Sequence, residues 1–390
     1  MRILYIDINA SFQNPTRSLV PLALMRAAET RLFGPGHVDP DTLRRGLHAF
    51  VAIEGPFDLC LTNSHVLFAD VYDAAPDPAQ FRRFYDLCFD AAEVLQLPGL
   101  AREFEQLTIP RVGIFLESDY YNWTERETDT VERRTDYAIA FGPEFSRLRS
   151  EMAGLQQEVF APSVTDAWAG YARRKEARIA SLLHFVSDAE ISLRRLVRRS
   201  NPWSVVGVQY HARKVALNLL RKAGIGVRRQ TPMRRLMGLA KKLRLMSAET
   251  RLQQRLLNLD YQHRLEQSRY AYACGSALDM PVRKFFEIPA AGAVLVCKPF
   301  CGFEAAGFRD GVNAVVSPPE SILDAHRMLE ADPDRAQAIA DAGRQMVFAK
   351  HSLVARAEQL RETLAAMAER SFAGGRWVGG EYRVARNGTA

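Results

Sequence analysis

Short apolar runs alternate with stretches of helical period through the first half of the chain. The opening run, Met1-Arg-Ile-Leu-Tyr-Ile6, stops at Asp7 and predicts a first β-strand over 3–6. Apolar runs at 59–62, 112–116, 138–140 and 159–160 predict further strands. Helices are predicted over 18–32, 41–50, 78–95, 99–106 and 143–154, with Ser18 placed to cap the first. From 165 to 199 strand character disappears, and the stretch reads as helical. A second alternation follows, with strands at 204–207, 226–228, 270–273, 293–297 and 314–316 and helices at 213–223, 233–257 and 281–291. Residues 320–370 read as helix, and the Gly- and Arg-rich tail from 371 as loose. This rhythm predicts an α/β fold of two Rossmann-like, doubly wound halves. The predicted boundaries are 1–165, a helical connection 166–200, a second domain 201–350, a C-terminal helix 351–370 packing back on the first domain, and a flexible tail 371–390.

Composition adds bounds. A chain of 390 residues exceeds one typical core and suits two domains. At 47% hydrophobic and 25% charged it has the make-up of a soluble globular protein. No apolar run reaches membrane-spanning length, and Asp7 ends the first run too early for a signal peptide, so a cytoplasmic protein is expected. Five scattered cysteines, an odd number, argue against a disulfide framework. Cys297-x3-Cys301 lacks a second pair or a nearby histidine, so it reads as core rather than metal site. The net charge of +7 is concentrated between residues 173 and 244, with Arg194-Arg195, Arg198-Arg199, Arg228-Arg229, Arg234-Arg235 and Lys241-Lys242. These are either solvated faces or a surface for an anionic partner such as nucleic acid or a membrane. No nucleic-acid motif accompanies them.

Ligands of parallel α/β sheets sit outside the carboxyl ends of the strands. In the second half those loops carry Gly207-Val-Gln-Tyr210-His-Ala-Arg213-Lys214, then Cys274-Gly-Ser276, then Lys298-Pro-Phe-Cys-Gly302-Phe-Glu304. Residues 279–297 read as a short helix, a stop at Gly292 and a buried strand, with acids at Asp279 and Glu287. A carboxylate in an apolar helix is costly unless something uses it. Each residue also has a plain structural reading. Glu287 pairs with Arg283 one turn earlier, Asp279 caps the helix that Pro281 opens, Arg213 and Lys214 are solvated, and Lys298 flanks a strand. In the first half, His65 follows a strand end, and Glu117-Ser-Asp119-Tyr-Tyr-Asn-Trp123 combines acids, aromatics and an amide suited to a sugar. Each of these also reads as a turn or cap residue.

Arg283-x3-Glu287-x-Pro-Ala-x-Gly292, Gly302-x-Glu304, Phe308-x-Asp310-Gly311, Arg335-x3-Ile339-Ala340-x-Ala-Gly343 and the later His351 resemble glycosyltransferases of the GT-B fold, in particular the CgeB-like (spore-maturation-protein-like) and family 4-type branch. The resemblance is dense over 203–363. It implies two domains facing across a cleft, an acceptor domain first and a nucleotide-sugar domain second. It implies that Glu287 binds the ribose of the donor and that Asp279 sits near its sugar and phosphate. Arg213 or Lys214 would grip the diphosphate, with Gly207, Tyr210, Ser276, Arg283, Lys298 and Gly302 also lining the donor site. The candidate catalytic residues are Asp279 and, on the acceptor side, His65 and Asp119. The implied reaction is sugar transfer from a nucleotide sugar to a glycan, lipid-linked glycan, protein or nucleic acid, with retention and without a metal or other cofactor. The alternatives are a GT-B binding protein without turnover, and a transferase docked on nucleic acid or peripherally on a membrane through its basic middle segment.

Overall fold

The computed structural model describes residues 1–9, 15–73, 93, 95–116, 120–152, 164–207, 210–228, 239 and 251–388. Its first sheet has six parallel strands in the order β2-β1-β3-β4-β5-β6. These are β1 (Arg2–Ile6), β2 (Glu29–Phe33), β3 (Leu59–Asn63), β4 (Arg111–Phe115), β5 (Tyr137–Phe141) and β6 (Ile179–Leu182). A second sheet has five parallel strands in the order β11-β10-β9-β7-β8. Its members are β7 (Asn201–Ser204), β8 (Val227–Arg228), β9 (Ser268–Ala273), β10 (Val294–Cys297) and β11 (Val315–Val316). The central strands are buried along their length, as parallel strands covered on both faces must be. In each sheet the winding reverses once, between β1 and β3 and between β7 and β9, and such reversals open a crevice for ligands.

Five sequence expectations give way. Residues 166–200 are not a purely helical connection: Ile179–Leu182 pairs with β5 and completes the first sheet. Its Ala180 and Ser181 have little strand propensity of their own, so pairing rather than local preference decides. The helix expected over 18–32 runs instead from Pro15 to Ala27, and its last residues belong to edge strand β2. Ser18 lies inside that helix and donates to Pro15 O (2.9 Å) rather than capping it. The described part of 143–154 holds only the short 3-10 turn Arg149–Glu151. The expected loose tail is a β-hairpin, β12 (Phe372–Val378) and β13 (Glu381–Arg386), covering the first sheet. Trp377 Nε1 donates to Ser181 Oγ (2.7 Å), and Ser181 N donates to the Tyr382 hydroxyl (3.2 Å). The strand expected at 159–160, most of the helix at 78–95 and, apart from Leu239, the helix at 233–257 up to 250 lie outside the described residues.

The last long helix, Leu353–Ala368, starts at Ser352, whose side chain accepts from Ala355 N (3.3 Å). It lies on the first half: Arg361 donates to the carbonyls of Ala27 (3.2 Å) and Arg26 (3.0 Å), and Gln359 Nε2 to that of Ser181 (2.8 Å). The C-terminal helix is therefore anchored to the first half. Among the described residues no helix is long and apolar enough to cross a membrane.

Candidate functional site

A cleft of about 570 Å³ opens between the two halves. One wall is the start of the helix Pro15–Ala27 with Leu116, the segment just past β4. The other comprises Gly207, the helix Arg251–Glu266 and the helix Lys284–Ala290. His184, Ser187 and Glu190 form its floor.

Glu287 and its neighbours build the polar centre. The helix that carries them runs from Lys284 to Ala290 with Arg283 at its N-cap, so Arg283 and Lys284 both lie one turn before Glu287 and on its side of the helix. Arg283 lies between two carboxylates. Its Nη2 donates to both oxygens of Glu190 (2.7 and 2.8 Å), and its Nη1 pairs with Glu287 Oε1. Glu287 Oε2 accepts from the Tyr261 hydroxyl (2.8 Å). Burial alone pushes the Glu287 carboxyl up, but Arg283, Lys284 and the Tyr261 bond outweigh it and hold the group below the ordinary carboxylate range. A carboxylate has about four acceptor positions. Two are used here, which leaves capacity for hydroxyl donors from a ligand.

Behind it, Gly207 follows β7 at the crevice. Its φ is +98°, a region that disfavours side chains, and a Cβ there would lie 2.5 Å from Lys284 Cε and 3.0 Å from Arg213 Nη1. The glycine thus lets an ammonium and a guanidinium close on the chain. Arg213 is buried at 1% exposure; its Nη2 donates to Cys274 O (3.2 Å) across the crevice, and its guanidinium lies 5.2 Å from the Tyr210 ring. Lys284 makes no hydrogen bond or ion pair with a described residue. Burial and Arg213 push its ammonium below the ordinary lysine range. The result is a cationic nook beside a carboxylate that binds hydroxyls.

The structure gathers Gly207, Arg283 and Glu287 on the cleft, with Arg213 and Tyr210 directly behind. Others fall elsewhere. Lys214, next to Arg213, is exposed on the far face of its helix. Asp279 (φ +51°) closes a 3-10 turn in the left-handed region, so it is no helix N-cap, and its Oδ1 pairs with Lys298 Nζ (2.9 Å). Ser276 in the same turn has φ +60°. Two non-glycine residues in that region within four positions make a strained loop. The neighbouring Leu278 and Met280 join the aromatic cluster of the first half. Gly302 (φ +85°) packs against Pro143, to which a Cβ would come within 2.6 Å, while Cys301 Sγ donates to Glu144 (2.9 Å). These loops close one end of the interface rather than lining the cleft.

On the first half, Asp119 lies outside the described residues. His65 flanks a small adjoining cavity and contacts Arg17. Burial and that guanidinium hold its imidazole well below the usual histidine range, so it is neutral. Close by, Asp7 accepts from Tyr5 Oη (2.7 Å), from Ile8 N (2.6 Å) and from Asn63. The aromatics read as a sugar platform are core instead. Tyr120, Tyr121 and Trp123 are at most 4% exposed, Trp123 packs edge-on against Phe115 and Trp168, and Tyr120 Oη donates to Phe141 O (2.7 Å). Lys284, Tyr261, Glu190 and His184 are cleft residues that sequence reasoning missed. For Lys284 a signal exists, since it stands three residues before Glu287 and shares its helix face.

No curated protein matches this chain in sequence. Residues 228–362 match the family described as glycosyl transferase-like. Among solved structures the chain is similar to Anabaena HepE in complex with UDP and glucose, at 11% identity and TM-score 0.51 over 94% of this chain and 100% of that one. It is also similar to sucrose-phosphate synthase from Thermosynechococcus elongatus, at 13% identity and TM-score 0.51 over 95% and 100%. At these identities the likeness is one of fold, and together with the two parallel sheets and the cleft between them it gives this chain the GT-B fold.

Proposed function

We infer that this protein transfers a glycosyl group from a nucleotide sugar bound in the cleft. The observation that carries the reading is the juxtaposition, at the β7/β9 crevice, of the Glu287 carboxylate with the Gly207, Arg213 and Lys284 nook. Glu287 accepts from the ribose hydroxyls, and Lys284, backed by Arg213, meets the diphosphate. As the sugar leaves, negative charge grows on that diphosphate, and a preplaced ammonium in a part-buried site stabilises it most at that moment. The bond between Arg283 and Glu287 fixes the carboxylate's orientation. The proposal includes retention at the anomeric carbon, no divalent metal, and the chemistry of the CgeB-like, family 4-type enzymes. The acceptor enters along Thr16, Leu116 and His184. HepE, of the same fold, binds UDP and glucose, which supports a nucleotide-sugar donor.

The test is a panel of UDP-, GDP-, ADP- and dTDP-sugars read by thermal shift, followed by donor hydrolysis and transfer assays. One donor class is expected to raise the melting temperature by mass action. Glu287→Gln keeps the shape of the site but weakens hydrogen bonds to the ribose. Its affinity for that donor is expected to fall about 10- to 100-fold, the range for hydrogen bonds to a charged group. Unchanged affinity in Glu287→Gln would remove Glu287 from the donor site, and donor binding without hydrolysis or transfer would favour a binding protein.

A further inference from the structure

The loop 192–200 inverts the usual partition of residues. Leu193 and Val197 are 78% and 84% exposed, the highest values among the large apolar side chains of the described residues. Arg199, by contrast, is buried at 5% exposure. Loosely packed loops often show stray apolar side chains, but this loop is clamped. The Arg199 guanidinium donates to the carbonyls of Arg194 (2.6 Å), Ala291 (2.7 Å), Ser268 (3.1 Å) and Leu265 (3.3 Å). Leu196 is buried, and its N–H donates to Gln337 Oε1 (2.9 Å). Arg194 folds back on Arg198 O (2.9 Å). The exposure of Leu193 and Val197 is therefore built in by the fold. Around them stand the exposed Arg194, Arg195 and Arg198, and residues 192–200 contain no acid.

We propose that this loop docks the protein on the surface of an anionic lipid bilayer, with Leu193 and Val197 inserted below the headgroups and Arg194, Arg195 and Arg198 meeting the lipid phosphates. Two protruding aliphatic side chains ringed by arginines match the chemistry of such an interface, apolar below and anionic above. Nucleic acid fits less well: phosphates have no use for exposed Leu and Val, and the loop has no aromatic ring to stack on a base. A protein partner, including a second copy, fits less well too, because two side chains on a loop fall far short of the roughly 1,000 Å² that a stable interface buries. The loop begins two residues after Glu190 on the cleft floor, so docking brings the cleft close to the lipid surface. The proposal does not depend on the transferase reading, since it is tested without donor or acceptor.

The experiment is co-sedimentation of the full chain with phosphatidylcholine vesicles containing about one-third phosphatidylserine, and with vesicles of phosphatidylcholine alone. Binding is expected only to the first and is expected to weaken with added salt. Leu193→Ser with Val197→Ser, at solvent-exposed positions and checked for an unchanged melting temperature, is expected to lower vesicle affinity by roughly a hundredfold. Replacing Arg194, Arg195 and Arg198 by glutamine is expected to abolish the preference for anionic vesicles. The proposal is overturned if the wild-type chain binds neither vesicle, or if both variants bind like wild type. It is also overturned if the same substitutions remove binding to a nucleic-acid oligomer or dissolve a dimer while leaving vesicle binding intact.

Discussion

Replacing Arg283 by methionine is expected to destabilise the protein by about 3–5 kcal/mol, because breaking a buried ion pair strands the remaining charge. Two charges are stranded here. Arg283 is the shared partner of Glu190 and Glu287, and the three side chains are only 10%, 15% and 9% exposed. The arginine itself is held above its ordinary range: burial pushes it down, but the two carboxylates more than restore it. Denaturant unfolding measures the effect as a lower midpoint at unchanged slope. Adding Glu190→Gln to the same variant is expected to return part of the loss, since one uncompensated charge goes with it. A change below about 1 kcal/mol would mean that the carboxylates find protons or water in place of Arg283. The Arg283 guanidinium is committed to carboxylates, whereas Lys284, next in sequence, lines the cleft without an ion pair to a described residue.

Acid is expected to unfold the protein earlier than its surface carboxylates alone would dictate. His351 is fully buried, with Nε2 donating to Ala306 O (2.8 Å) and Nδ1 accepting from Arg356 Nη2 (2.8 Å), which fixes the neutral form. Burial, and then the Arg356 charge, pull its pKa down to about 3, against an ordinary histidine value of 6.5. As pH falls below about 6.5 the unfolded chain takes up a proton that the folded chain refuses until about pH 3. Stability is therefore full above 6.5 and is lost progressively between these limits, by about 5 kcal/mol in all. Urea midpoints measured between about pH 7 and pH 4 test this. His351→Gln has no group to titrate, so its midpoint is expected to depend less on pH than that of wild type. Equal slopes for the two proteins would assign the acid sensitivity to other groups.

His351 also shows how far the sequence could be read. The resemblance picked it out, yet its ring is packed among Phe286, Phe308 and Trp377, a consequence of the C-terminal hairpin that the Gly- and Arg-rich tail concealed. Strands β1, β3, β4, β9 and β10 were legible because a buried parallel strand is a continuous apolar run. Glu287 stands out because an acid among apolar residues is expensive, and Gly292 because glycine commonly stops a helix; its φ of +70° just past the helix end agrees. What stayed hidden depends on contacts between distant segments. Ile179–Leu182 becomes a strand only by pairing with β5. Tyr261 reaches Glu287 from another helix. The run Tyr120–Trp123 resembles a sugar platform in composition, and only the ring packing from Phe115 and Trp168 turns it into core. Asp279 and Lys298 each read as site residues, but nothing in their spacing announces that they pair with each other.

The central claim is that the Gly207, Arg213 and Lys284 nook holds the diphosphate of a nucleotide sugar. Calorimetric titration of the wild-type chain and of Lys284→Met with the four nucleotide-sugar classes tests it most directly. Methionine keeps an unbranched apolar stem one atom shorter and removes the charge and its donors. Saturable binding of one class by wild type is expected, with affinity about 10- to 100-fold weaker in Lys284→Met and the melting temperature of the free protein little changed. Equal affinity in the two proteins, or no binding of any nucleotide sugar by wild type, would contradict it.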